Sequence, residues 1–528
     1  MTPPEVWGAS QTPSTAAAAT ARDSRAWAGV AITSRWATAV MAAVVLWEAA
    51  ALFIRAGRVP LWYDELLTYH VSALHPFSAV WHALNEGVDG MPAGYYAVVQ
   101  LARMLPLDPH IAVRLPSILG YILTLAAVFC FVNRRVPPLT AFTVILLLTL
   151  SPFRGYATEA RSYPLLVGSL AVSAVFWQRI GEQRFATLLF GLFLTFAVSL
   201  HHLAVVAISA FGIAEIVFAV ISRRIRWSAW IAMILASCPF FLGLPALLHF
   251  RSVFGQNFWS RPSLRAFGST YGAYFGLNRW VGMALLLFCG FVVIRAILQN
   301  LRKPLEDNPA DDLTTPELVL AGGFLFYPAL LIVLTRVMGS GYVPRYGWPA
   351  IFGLMVLLAS LLGRAVQLVA GLTAVLLFVF LFSGVDEMVA VSKTSLTKRW
   401  SKLASASRQE PGIPVVIADA VTYLEANEYA PPELRGRLVE LAGVDMAVHF
   451  TGKDTSDRAN ALLARYARLR LEERASFEAS HPQFILCFNL QASVAALDWL
   501  IPYLIEKNYH LMLLAYIKDD YSVYLVRR

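Results

Sequence analysis

Eleven apolar runs leave this chain almost no choice of solvent. They cover 36–54, 110–132, 138–153, 162–177, 185–200, 203–221, 227–250, 280–298, 317–338, 348–362 and 366–385. A helix needs roughly 20 apolar residues to cross the hydrocarbon of a bilayer, so each run is long enough or nearly so, the shorter ones with help from flanking residues. Composition agrees: 58% of the 528 residues are hydrophobic and 15% charged, against about 25% charged in soluble domains. A soluble enzyme, a disordered protein and a fibrous repeat are excluded. The four cysteines (Cys130, Cys238, Cys289, Cys487) lie too far apart for a disulfide scaffold or a Cys-based zinc site. The net charge of +9 does not signal nucleic acid, because the basic residues sit in short clusters between the apolar runs, where they orient membrane helices.

The clusters set a topology. With the N-terminus in the cytoplasm, Arg134-Arg135, Arg179 with Arg184, Arg223-Arg224-Arg226 and Arg302-Lys303 all fall inside. Residues 1–35, rich in Ala, Ser, Thr and Pro, read as a disordered cytoplasmic segment. Residues 36–385 read as a polytopic helical domain of about eleven spans. Its first outer loop, 55–109, carries short helical patterns near Asp64–Ser72 and Phe77–Asn85; a third, 91–105, is short, amphipathic and holds Arg103, so it reads as interfacial. Residues 386–528 read as a soluble α/β domain outside the membrane, with strands near 414–418, 484–488, 510–517 and 521–526, helices near 421–429 and 457–478, and a turn at Asp519-Asp520. The expected location is a bacterial cytoplasmic membrane, with the site and the C-terminal domain extracytoplasmic.

Placement by charge brings several chemistry-bearing stretches to that one outer face. Trp62-Tyr63-Asp64-Glu65 puts two acids at the start of a surface helix, either as N-terminal capping charges or as a general base for a hydroxyl. Glu159-Ala160-Arg161-Ser162-Tyr163 is either a local ion pair or the lining of a polar cavity. In Pro344-Arg345-Tyr346 the guanidinium suits a phosphate, to which it can donate two parallel hydrogen bonds. His201-His202 is either a polar cap or part of a metal site, for which Glu159 would be the nearest acid and no motif fixes the ligands. The 251–279 loop adds Arg251, a plausible wall for phosphate or a solvated loop residue. Glu48 and Glu215 lie inside spans, where each needs a partner. The acids and arginines together suggest a pocket for an anionic, membrane-borne substrate.

These residues resemble a known family. Trp62–Glu65, Val113-Arg114-Leu115-Pro116-Ser117, Glu159–Tyr163 and Pro344-Arg345-Tyr346 with Pro349 are similar, in order and spacing, to bacterial glycosyltransferase family 39. That family groups with dolichyl-phosphate-mannose protein mannosyltransferases and lipid A aminoarabinose transferases. The resemblance covers about 1–385. The segment 412–450 is similar to outer domains on some members, a looser match. It implies a GT-C bundle and an inverting transfer of a monosaccharide from a polyprenyl-phosphate donor to a lipid, glycan or protein acceptor, with no soluble cofactor and a divalent metal left open. Carried over, the resemblance makes Asp64 the base or its organiser, with Glu65 beside it, and Glu159 the second-loop acid facing the same cavity. Arg345 and Tyr346, with Arg161 and Arg251, hold the donor phosphate. Tyr63, Arg114, His201, His202 and Tyr163 line the pocket. Many members have His-Pro-Pro or a lysine where this chain has Gly90-Met91-Pro92, which removes one phosphate contact. The alternatives are a transporter, which would show broken helices in two related halves, and an inactive lipid-glycan-binding relative.

Overall fold

The computed structural model describes residues 39–255, 257–263, 265–301, 313–363, 366–392, 398–491, 495–517 and 521–528. The expectations for 1–35, Arg302-Lys303 and the Asp519-Asp520 turn lie outside those residues. Among those described, six helices are long and apolar enough to cross a membrane: α1 (Ala39–Arg58), α5 (Pro109–Val132), α10 (Ile208–Ser222, continuous with the 3-10 turn from His202), α11 with α12 (Trp227–Ala236 and Cys238–Phe254), α15 (Thr315–Val337) and α17 (Val366–Ser392). Four apolar helices are shorter: α6 (Pro138–Thr149), α8 (Tyr163–Trp177), α9 (Ala186–Leu200) and α16 (Ala350–Leu362). A bent pair, α13 (Arg265–Phe275) and α14 (Arg279–Leu301), completes the set. Every apolar run of the sequence is therefore helical, though only some pass the length test singly. The chain is a membrane protein. Large side chains such as Leu188, Leu192, Ile216, Ile234, Leu242, Phe291 and Phe378 are exposed on the bundle, a continuous apolar coat that water would not tolerate and lipid requires.

A close helix crossing organises the interior. A Cβ on Gly120 would lie 2.2 Å from the backbone of Leu165, and one on Gly168 would lie 2.4 Å from the carbonyl oxygen of Gly120. Two hydrogen side chains let α5 and α8 touch backbone to backbone, the small-residue packing that replaces the hydrophobic effect in lipid. This crossing fixes Arg114, upstream on α5, relative to Tyr163 at the start of α8. The two intramembrane acids also find partners. Glu48 accepts from Arg154 Nε at 2.8 Å in α7 (Phe153–Tyr156), and Arg154 also pairs with Glu387 of α17. Glu215 takes Trp177 Nε1 at 2.6 Å and pairs with Arg226.

Between α1 and α5 lie three short helices, α2 (Tyr63–Ser72), α3 (Phe77–Asn85) and α4 (Ala93–Arg103), as the sequence suggested. Their apolar faces form a core of their own with Val113, Leu165 and Leu200, which places them across one end of the bundle.

The C-terminal part is a six-stranded sheet in the order β3-β2-β1-β4-β6-β5. The strands are β1 (Val415–Ile417), β2 (Leu438–Ala442), β3 (Leu471–Glu473), β4 (Gln483–Asn489), β5 (His510–Ile517) and β6 (Tyr521–Arg527). The first four run parallel, while β6 is antiparallel to β4 and to β5. Alternation serves two cores: Val415, Ile417, Ile485 and Cys487 face one, Val416, Phe484 and Leu486 the other, as parallel strands covered on both faces require. Two sequence expectations are corrected here. Residues 457–478 are not one helix; they divide into Thr455–Leu463, β3 and the helix Arg474–Ser480. The sequence reading also missed β2, whose Glu440 interrupts an otherwise apolar strand and is buried with Asn460 as its partner.

The glycine crossing is testable. Gly120→Ala should cost about 3 kcal/mol or more, the upper range for overpacking, read as a lower thermal midpoint in detergent. Gly371→Ala, where a Cβ meets nothing within 4 Å, should leave the midpoint unchanged.

Candidate active site

Helix α2 begins at the junction of bundle and surface helices, and its two adjacent acids meet opposite environments. Glu65 is 1% exposed. Its carboxylate receives Arg114 Nε and Nη2, each at 2.7 Å, the backbone N–H of Ala160 at 2.6 Å and that of Trp62 at 3.2 Å. Arg114 spends its remaining donors on the carbonyls of Ala56, Val59 and Pro60. Every polar atom is used, so the pair can remain ionised without water, and it ties α1, α2, α5 and the 150–162 loop together. Glu65 and Arg114 thus form a structural pin beneath the site. Neither has a free atom to offer a substrate.

One residue earlier on the helix, Asp64 points elsewhere. Its Oδ2 lies 2.5 Å from Arg345 Nη2, an ion pair whose members keep some exposure, yet the approach is not aligned as a hydrogen bond and Oδ2 has no hydrogen-bond partner. Arg345 comes from the 3-10 turn Pro344–Gly347, between α15 and α16. Its guanidinium lies 5.4 Å from the Trp62 ring and 6.0 Å from that of Tyr163. Tyr346 follows, 5.2 Å from His201 and 6.2 Å from Tyr163. Arg161 donates to Asp89 at 2.9 Å and to the Asp64 carbonyl at 3.3 Å. Asp89 in turn accepts from Tyr96 at 2.5 Å. Around this group, Trp62 Nε1, Glu159 Oε2, Arg161 Nε, Tyr163 OH and Arg345 Nε are buried without partners. A single orphaned buried polar atom is costly. These unspent donors and acceptors line one polar chamber, and their chemistry suits a polar ligand.

Glu159 belongs to this electrostatic set. Burial pushes its carboxyl up to about 7, and the charges of Glu65 and Asp64 add to the rise, against Arg345 and Arg161 which oppose it. Burial thus sets the Glu159 carboxyl apart as one that holds its proton toward neutral pH.

The remaining sequence candidates separate. His201 joins the chamber through its aromatic contacts with Tyr163 and Tyr346. His202 instead lines a cavity of about 160 Å³ between the α3–α4 segment and α12, with Asp89, Trp81 and Phe250 also on its wall; Gly243 packs against its ring. Tyr63 sends its hydroxyl away from the chamber to Asn460 and Ser456 of the C-terminal domain. Arg251 is exposed and donates to the carbonyl of Met338. Asp89 was not singled out in the sequence, and Trp62 entered only as part of the Trp62–Glu65 motif; the only signal for Asp89 is an acid in the Gly87–Gly90 turn. Among the described residues no group of three His, Cys, Asp or Glu side chains is arranged to hold a metal ion.

No family model and no curated protein matches the chain by sequence. Solved structures do. It is similar to ArnT from Cupriavidus metallidurans in the apo state, with a TM-score of 0.57 and 12% identity over 92% of this chain and 97% of that one. The same protein bound to undecaprenyl phosphate gives 0.55 at the same identity and coverage. An oligosaccharyltransferase from Archaeoglobus fulgidus reaches only 0.44 at 9% identity, over 91% of this chain and 72% of that one. The likeness to ArnT shows the fold: the chain shares the GT-C-type helical membrane bundle with a C-terminal sheet domain.

Two outcomes are expected. Arg114→Ala, which strands Glu65 in the interior, should destabilise the protein by about 3–5 kcal/mol, measured as the thermal midpoint of the purified protein. For Glu159 the folded value of about 7 lies above the ordinary 4.5, so the folded protein binds this proton more tightly than the unfolded chain does. That contribution is complete below 4.5 and is lost as pH rises toward 7. Relative to Glu159→Gln, the wild-type midpoint should therefore fall between pH 4.5 and pH 7 and hold constant outside that window.

Proposed function

We propose that this protein is a membrane glycosyltransferase that moves a monosaccharide from a polyprenyl-phosphate donor to an acceptor hydroxyl at the extracytoplasmic face, with inversion at the anomeric carbon. The observation that carries the reading is the Asp64–Arg345 pair, set among unspent polar groups in one chamber of a GT-C fold. A structure of this fold, ArnT, has been solved with undecaprenyl phosphate bound, which supports a donor of that class here.

Each residue has a task it can perform physically. A donor phosphate entering the chamber competes with Asp64 for the fork of Arg345, whose Nε already lacks a partner. Arg345 then faces the oxygen on which charge grows as the sugar–phosphate bond breaks, and a fixed cation there stabilises the transition state more than the ground state. Asp64, released from the ion pair, accepts the proton of the acceptor hydroxyl while that oxygen bonds to C1 from the opposite side. The electron pair of the broken bond stays on the departing polyprenyl phosphate. A protonated Glu159 spares the incoming phosphate a second negative charge. Tyr163, Tyr346 and His201 offer an aromatic wall for the sugar. The lipid tail holds the donor at the depth of the chamber, so orientation comes from the membrane and no nucleotide-binding loop is needed.

Purified protein would be incubated with undecaprenyl-phosphate-linked pentoses and hexoses, with total membrane lipids and envelope proteins as acceptors and with or without chelator. Released undecaprenyl phosphate would be followed by mass spectrometry. Asp64→Asn should lower release by about 10²-fold or more with an unchanged thermal midpoint. Arg345→Ala should impair donor use more than Arg345→Lys, because lysine keeps the charge and loses only the fork. Full activity in Asp64→Asn would remove it from the chemistry.

A further inference from the structure

Parallel α/β sheets ordinarily take their ligands beyond the carboxyl ends of the strands. In this protein part of that edge is filled by a side chain from the start of α2, the helix that carries Asp64. Tyr63 is buried, and its hydroxyl is shared between Asn460 Oδ1 at 3.2 Å and the Ser456 carbonyl at 3.1 Å. Asn460 is 0% exposed. Its amide nitrogen donates to the carbonyl of Ala420, just after β1, and to Glu440 Oε2 on β2, each at 2.8 Å. Two acceptors on one side and a hydroxyl on the other fix which way this amide points.

A second contact grips the same turn from its other side. The hydroxyl of Tyr429, at the end of the helix Ala420–Tyr429, accepts from the Leu61 N–H at 2.7 Å and lies 3.1 Å from His110 Nε2. The His110 and Tyr429 rings stack at 5.9 Å. Leu424 and Leu463 of the C-terminal domain enter the same apolar core as Tyr63, Leu66 and Leu67. Leu61 and Tyr63 flank Trp62 and immediately precede Asp64, so both contacts act on the turn that aims the candidate base.

We propose that the C-terminal sheet domain is a positioning clamp for the transfer site: Asn460 and Tyr429 hold the first turn of α2, and through it the direction of Asp64 and Trp62. This rests on the transferase reading above. Asn460, Tyr429 and Tyr63 are positioning residues, since their hydrogen bonds go to the sheet domain, to His110 and to the Leu61–Tyr63 turn and none goes to Asp64 or Arg345. A displacement of about 1 Å at a reacting group is enough for a rate loss of about 10²-fold, so a small loosening of this turn suffices.

The test uses full-length protein in three forms: Tyr63→Phe, which removes one oxygen, Asn460→Ala, and the double variant. Release of undecaprenyl phosphate gives kcat and the donor KM, and amide hydrogen exchange over 61–68 reports the turn directly. Expected are a kcat lowered about tenfold, an unchanged donor KM, faster exchange over 61–68, and a double variant no worse than Asn460→Ala alone. Unchanged kcat overturns the clamp, and so does a lower kcat with unchanged exchange. If the wild-type protein releases undecaprenyl phosphate from no donor, the transferase reading fails; faster exchange then still supports the clamp on α2, and unchanged exchange overturns it.

Discussion

A carboxylate and a guanidinium, both nearly inaccessible, hold this site in place. Glu65 and Arg114 satisfy each other in a bidentate pair, and their remaining valences reach backbone groups in two separate stretches, 56–62 and Ala160. An ion pair buried to this degree is expensive to form, and a poor one would be worse than a hydrophobic substitute. Its return is geometric. Once Glu65 is fixed, the next carboxylate toward the start of the same helix projects into a different space, and the loop bearing Ala160 is held close enough for Glu159 and Arg161 to face it.

The sharing of tasks between neighbouring acids follows from this. Glu65 has every lone pair engaged and can do no proton chemistry. Asp64 has one imperfect partner, and Glu159 has an orphaned oxygen and a carboxyl shifted toward neutrality. Residues that are incompletely satisfied in the resting protein are the ones free to change partners when a ligand arrives. The same contrast separates Arg114, with all its donors spent, from Arg345, with a free Nε. Stability and activity are thus written in adjacent residues by the number of hydrogen bonds each is given.

Much of the fold was legible in the sequence because membrane helices announce themselves by length and polarity, and the surface helices by their short amphipathic pattern. Counting spans between basic clusters placed Asp64, Glu159, His202, Arg251 and Arg345 on one face; Asp64, Glu159 and Arg345 do lie together, while His202 lines the neighbouring cavity and Arg251 donates to Met338. Other features depend on contacts that no local pattern encodes. Glu65 and Asp64 are indistinguishable as a Asp-Glu pair; only the packing of Arg114 against one of them decides. His201 and His202 part because one meets Tyr346 and the other Gly243. Tyr63 reads as a pocket aromatic until Asn460, almost four hundred residues later, takes its hydroxyl. The strand at 438–442 was hidden by a glutamate whose partner lies on a distant helix.

The account stands on Asp64 and Arg345 sharing one chamber, and a cross-link tests that most directly. With the two positions changed to cysteine in a background lacking the native cysteines, a short membrane-permeant bifunctional thiol cross-linker, which spans more than the roughly 7 Å Cα separation a direct disulfide allows, should join them in high yield. An impermeant thiol reagent should block that cross-link from the extracytoplasmic side. If no cross-link forms and the reagent reaches the two cysteines from opposite faces of the membrane, the chamber does not exist and the proposed chemistry goes with it.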